Sequence, residues 1–158
     1  MAENRLKLVS VGGTFDVMHK GHWFLLEETF NVGERAIVGI TTDEFAATLR
    51  KEHRIDCYEK RRRDVEKFLR EKGYYERAKI VPLTDPFGPT VESRDIEGII
   101  VSEETEPTAE VINQMRVERG LRPLLMFVIT MVLAEDGKPI SSTRIRRQEV
   151  DRYGRLIG

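Results

Sequence analysis

The chain has 158 residues, with 26 Lys and Arg against 27 Asp and Glu and a formal net charge of −1. That length suits a single domain spanning 1–158 with a core of its own, and the charge balance excludes bulk electrostatic attraction to nucleic acid. One cysteine, Cys57, excludes an intrachain disulfide; MAENRLKLVS at the start lacks an apolar leader, and the longest apolar run, 124–134, is too short to span a bilayer. These features predict a cytoplasmic protein with neither a membrane nor a nucleic-acid partner.

Taken in order, Leu6–Val11 reads as a first strand, GGTFDVMHKGH (12–22) as a glycine turn, and 21–31 as a first helix. Arg35–Thr41 is a second strand. Asp43 is placed to cap a short helix through Leu49, followed by a polar loop over 50–57. Tyr58–Lys72 is a long charged helix stopped by Gly73, with Glu59–Arg63 and Glu66–Arg70 as expected i,i+4 pairs and Val65, Phe68 and Leu69 as its apolar face. Ala78–Leu83 is a third strand, 84–95 a loop rich in Pro and Gly, and Gly98–Val101 a fourth strand. A helix opens near Pro107 and stops at Gly120; Leu124–Leu133 is the last strand, and Ser141, Ser142 and Thr143 open a final helix. Strands alternating with helices imply an α/β, Rossmann-like, doubly wound parallel sheet of about five strands with helices on both faces. In such sheets sites lie beyond the carboxyl ends of the strands, so the turn at 12–22, the loops after Thr41 and Leu83, and 102–105 should share one crevice.

The turn at 12–22 carries the most chemistry. Gly12 and Gly13 let the backbone approach a phosphate, and the helix that follows presents unpaired N–H groups and positive dipole charge. His19 and His22 sit three apart at that helix mouth, with Thr14 beside them. The pattern is neither a Walker P-loop nor a GxGxxG fingerprint. The two histidines, with Asp16, could share a metal. The chain's third histidine is the distant His53, however, and a closed zinc site needs four ligands, so we expect no protein-held metal. Imidazoles donating hydrogen bonds to developing negative charge fit better.

The second cluster is ISSTRIR, 140–146. Its hydroxyls are natural helix caps, and the same hydroxyls and N–H groups can accept phosphate, with Arg144 or Arg146 supplying charge. No GxSxG elbow surrounds Ser141 or Ser142. The basic run 59–72 reads as a solvated helix packed on the sheet. Among Arg50, Lys51 and Arg54, the crevice argument asks at least one to reach phosphate.

The two clusters together, His19-Lys20-Gly21-His22 and Ile140 to Arg146, resemble the paired signatures of the T/HxGH nucleotidyltransferase superfamily. Within it the chain is most similar to the archaeal-type phosphopantetheine adenylyltransferases, which resemble the matching domain of eukaryotic coenzyme A synthase. The supporting segments are VGGTFDVMHKGH, VGITTDE (38–44), DPFGPT (85–90), VSEET (101–105) and ERGL (118–121), and the resemblance covers nearly the whole chain.

The resemblance implies that ATP and 4′-phosphopantetheine give dephospho-coenzyme A and pyrophosphate by direct in-line attack, with no covalent intermediate. It assigns His19 and His22 to the ATP phosphates, with His22 nearest the departing oxygen, and Thr14 to orienting the reacting phosphates. Gly12, Gly13, Phe15 and Gly21 complete the ATP-binding turn, and Ser142, Thr143 and Arg146 grip the β- and γ-phosphates. Lys51 is the candidate cation for the acceptor and α-phosphates, and Thr42 joins Thr14 and Lys51 on the acceptor side. Mg²⁺ is expected with ATP, bound through phosphate oxygens and water. The bacterial branch carries an arginine-bearing segment where this chain has Ser102-Glu103-Glu104-Thr105, so that role does not transfer. Two alternatives stay open at this point: nucleotidyl transfer to glycerol phosphate or flavin mononucleotide, and a non-catalytic sensor of nucleotide or coenzyme A.

Overall fold

A computed structural model describes residues 4–49 and 54–158. Five strands, β1 (Leu6–Gly13), β2 (Gly33–Thr41), β3 (Ala78–Leu83), β4 (Gly98–Ser102) and β5 (Leu125–Ile129), form one sheet in the order β3-β2-β1-β4-β5. Every pairing is parallel, with Val11 opposite Val38 and Ile100 opposite Phe127 marking the central registers. The helices are α1 (Lys20–Val32), α2 (Asp43–Thr48), α3 (Tyr58–Lys72), α4 (Glu106–Glu118) and α5 (Ser142–Arg146). This is the doubly wound, Rossmann-like arrangement the alternation predicts. Strand order reverses direction between β1 and β4, which opens a crevice there.

Alternation along each strand distributes the core over two faces. Val9, Val11, Val38 and Ile100 pack with Leu26 and Phe30 of α1 and Val65, Phe68 and Leu69 of α3. The intervening Leu8, Ile37, Ile99 and Val101 meet Ala109 and Ile112 of α4 on the other face. A smaller cluster of Ala134, Ile140 and Val150 seats the segment around α5. No helix among the described residues is long and apolar enough to cross a membrane.

Several boundaries differ from the sequence reading, each for a local reason. The last strand ends at Ile129, not Leu133, because its partner β4 ends at Ser102, opposite Ile129. The chain beyond turns away: Ile140 N–H donates to Val132 C=O at 3.0 Å, and Leu133 bridges Pro139. The cap of α2 is Thr42, whose hydroxyl accepts from Phe45 N–H at 3.1 Å, while Asp43 lies in the first turn. The loop over 84–95 contains a short 3-10 turn, Gly88–Val91. Among the described residues the i,i+4 ion pairs on α3 are Lys60–Asp64 and Arg62–Glu66 rather than the expected two, and Arg70 lies over the Tyr75 ring at 3.8 Å. The second strand starts earlier than expected: Gly33 N–H closes α1 on Thr29 C=O while Gly33 itself already pairs with Leu6 in the sheet.

Candidate active site

Where β1 ends, Thr14 to Met18 bridge to α1 through strained backbone. Phe15 and Val17 hold φ of 54° and 49°, a region that a β-branched or bulky residue rarely enters. His19 caps α1: its Nδ1 accepts from Gly21 N–H at 3.0 Å. His22 answers from the third helical position, its Nδ1 accepting from His19 N–H at 3.2 Å. This is a capping box built from two histidines. The rings stack with centroids 3.9 Å apart.

The box determines the tautomer. A ring nitrogen that accepts from a backbone N–H carries no proton, so each neutral imidazole keeps its proton on Nε2. Both histidines are thereby hydrogen-bond donors through Nε2 at the mouth of α1. Burial, with Arg152 adding to it and Asp16 opposing it, pushes His19 down to about 4, so its ring is neutral at pH 7. Gly21 is required by space: a Cβ there would lie 2.8 Å from His19 Cε1 and 3.0 Å from Nδ1.

The second cluster arrives at the same place. Ser141 caps α5, accepting from Arg144 N–H at 3.2 Å, and the Ser142 hydroxyl donates to Asp16 C=O at 2.5 Å. Arg146 holds the Asp16 carboxylate with two nitrogens, at 3.1 and 3.0 Å, and also pairs with Asp56 at 3.1 Å. Asp16 is 2 % exposed, so this bidentate contact is a charge-assisted link formed largely out of solvent. Asp56 N–H donates to the same carboxylate at 2.9 Å.

A cavity of about 520 Å³ results, reached by the carboxyl ends of all five strands. Gly12, Gly13, Thr14, Phe15, His19, Gly21, His22, Ser142 and Thr143 all line it. The rest of its wall is mixed: Phe45, Leu49, Leu83 and Ile129 supply apolar surface, while Ser102, Glu104, Thr105 and Thr108 add polar groups, a lining suited to an organic ligand that carries polar groups. Two other assigned residues, Thr42 and Arg146, do not line the cavity. Thr42 caps α2, Arg146 is engaged by Asp16 and Asp56, and Lys51 lies outside the described residues. Arg144 is taken up by Asp136 and Glu149.

Two residues with structural weight at this site escaped sequence reasoning. In the sequence Asp16 suggests a metal ligand; in the fold it joins the two clusters. Arg61, inside a run of four cations on a helix that reads as solvated and packed on the sheet, is 1 % exposed. The visible sign was Asp16 itself, a carboxylate amid the glycine turn that needs a cation from elsewhere in the chain.

Residues 10–148 match the model of the cytidylyltransferase-like family. A phosphopantetheine adenylyltransferase of Methanothermobacter thermautotrophicus is 48% identical over 98% of this chain and 92% of its own length. The chain belongs to the archaeal phosphopantetheine adenylyltransferases, within the cytidylyltransferase-like family. The family's enzyme from Pyrococcus furiosus is 41% identical over 98% of this chain and 96% of its own length. Among solved structures, a protein of unknown function from Archaeoglobus fulgidus is similar at 32% identity and a TM-score of 0.69, covering 78% of this chain and 88% of that one. A pantoate-beta-alanine ligase from Francisella tularensis shares the fold at 13% identity and a TM-score of 0.58, over 89% of this chain and 65% of that one.

Proposed function

We propose that the protein transfers the adenylyl group of ATP to 4′-phosphopantetheine, releasing pyrophosphate and dephospho-coenzyme A, as a step of coenzyme A biosynthesis. One observation carries this reading: the histidine turn and the serine–threonine turn, far apart in sequence, line a single cavity and are joined through Asp16. The names of the relatives supply the acceptor.

Direct in-line transfer is the favoured route. The serine hydroxyls of the cavity are already committed, Ser141 as a cap and Ser142 as a clasp on Asp16, which leaves them poorly placed to become nucleophiles. Catalysis then rests on positioning and charge stabilisation. Nε2–H of His22 and His19 would donate to the phosphates of ATP, His22 to the departing oxygen. Thr14 would orient the reacting phosphates, and Thr143 with the N–H groups of the α5 entrance would receive the triphosphate tail. Lys51 is proposed for the acceptor and α-phosphates, while Thr42, which caps α2 and does not line the cavity, is left without that role.

Mg²⁺ fits this wall only as a companion of the nucleotide. Among the described residues no group of three His, Cys, Asp or Glu side chains could hold a metal, and Asp16 is occupied by Arg146 and Asp56 N–H. Bound to phosphate oxygens and water, the ion would neutralise charge on the triphosphate and pyrophosphate.

An acceptor panel tests the proposal. Pyrophosphate release is measured with ATP or CTP against phosphopantetheine, glycerol phosphate and flavin mononucleotide. Release with ATP and phosphopantetheine alone is expected. Preference for CTP or for another acceptor would reassign the substrate, and tight ATP binding without product would make the protein a sensor.

A further inference from the structure

Buried cations are expensive unless every donor finds an acceptor, and replacing a buried ion pair by well-packed apolar residues often costs no stability, so a buried cation asks for a reason beyond stability. Arg61 is such a cation. It belongs to α3 and is flanked by Lys60, Arg62 and Arg63, none of them buried; Arg61 alone turns inward. Its donors go to four separate pieces of chain. Nη1 donates to Thr14 C=O at 2.9 Å and to Thr41 C=O at 2.8 Å, with Thr41 Oγ1 at 3.2 Å. Nε donates to Asp56 C=O at 2.8 Å, and Nη2 to Asp43 Oδ1 at 3.0 Å. The end of β2, the start of α2, the approach to α3 and the first residue of the histidine turn thus meet on one guanidinium.

The contact with Thr14 has a particular consequence. Between Thr14 and His19 the backbone passes through two positive-φ residues, Phe15 and Val17. Such a conformation persists only where the surroundings over-determine it. From the far side Ser142 and Arg146 hold Asp16. From the near side Arg61 holds the carbonyl of Thr14. A third link closes the set, since Asp56 gives its carbonyl to Arg61 and its N–H to Asp16.

We propose that Arg61 is a positioning residue for the phosphate-binding turn: its planar fork anchors Thr14 to the end of β2, so the strained turn keeps the geometry that the reacting phosphates require. The inference rests on the reading of the turn as the phosphate site. It assigns Arg61 no contact with substrate. A lysine retains the charge but not the rigid fork, and cannot reproduce donors diverging toward Thr14, Thr41, Asp56 and Asp43 at once.

Arg61→Lys is therefore the decisive variant, with Arg63→Ala as the exposed control. Two measurements are made on the full chain: amide hydrogen exchange resolved by peptide, and steady-state kinetics with ATP and phosphopantetheine. The expected result for Arg61→Lys is about tenfold or faster exchange over 13–19 with β5 and α4 unchanged, together with kcat lowered about thirtyfold or more and KM for ATP within about threefold. Wild-type kcat with faster exchange would make Arg61 a purely structural strut, and slow turnover with unchanged exchange would remove the route through Thr14; either result overturns the inference. If the wild-type protein makes no dephospho-coenzyme A, the proposed function fails, while the exchange comparison alone still decides whether Arg61 holds the turn.

Discussion

The hydroxyl of Ser142 donates to the backbone carbonyl of Asp16, 126 positions earlier in the chain, at 2.5 Å. Arg146 reinforces the same junction by gripping the Asp16 carboxylate, so backbone and side chain of one residue are held from one short helix. The two turns that line the cavity therefore form one unit whose integrity depends on a link that uses neither histidine ring.

That link makes a prediction about stability. The Asp16 side chain is 3 % exposed and that of Arg146 is 24 % exposed, so the pair sits between the surface and fully buried regimes. A double-mutant cycle of Asp16→Asn and Arg146→Gln, read by urea denaturation, should give a coupling of about 2 kcal/mol. Additive effects would show that the pair does not carry the junction.

The tautomer imposed by the capping box makes a prediction about rate. If Nε2–H of His22 donates to charge that develops only in the transition state, His22→Ala should lower kcat roughly a hundredfold or more while leaving KM for ATP within about threefold. A variant with unchanged turnover would take His22 out of the mechanism.

His19 makes a prediction about pH. Its folded value of about 4 lies below the usual 6.5, so between these values the unfolded chain binds a proton that the folded chain does not. Stability therefore rises with pH across that window and is lost as pH falls through it, by about 3 kcal/mol over the full span. His19→Asn keeps an acceptor at the helix cap but removes the titration. Denaturant unfolding at pH 7 and pH 4.5 should show wild type losing stability that the variant retains; parallel losses would refute the assignment.

Gly21 reverses an ordinary expectation. Alanine in a helix interior normally stabilises by roughly 0.5–1 kcal/mol relative to glycine. Here its Cβ would sit 2.8 Å from the His19 ring, which is buried and hydrogen-bonded and cannot swing aside without opening the capping box. Gly21→Ala should lower both Tm and kcat, the latter about tenfold or more. A more stable, fully active variant would mean that the ring adjusts freely.

Much of this was legible in the primary chain because the relevant signals are local. The glycine turn before an amphipathic run announces strand, turn and helix, and the hydroxyl cluster before Arg144 announces a cap. Sequence failed where the decisive partner is distant. Nothing near Leu133 says that β5 must stop at Ile129, since that is decided by the length of β4. Arg61 stands four residues before Val65 and seven and eight before Phe68 and Leu69, so helical spacing alone puts it on the packed face of α3, but only the folded chain brings Thr14, Thr41 and Asp56 to its fork. Asp16 was visible but ambiguous, because a carboxylate beside two histidines suits a metal equally well until Arg146 is seen to occupy it.

One consequence concerns the joint at Gly33, where helix and strand abut with no intervening residue. A hinge needs slack, and this junction has none: the residue that closes α1 is already in register with the sheet. Any swing of the helix must drag β2 with it, and β2 is bonded on both edges. The histidine-bearing mouth is thus carried on a helix whose far end is fixed to the central sheet; if that mouth takes a nucleotide as proposed, one residue inserted between Val32 and Gly33 is expected to weaken binding from the opposite end of the helix.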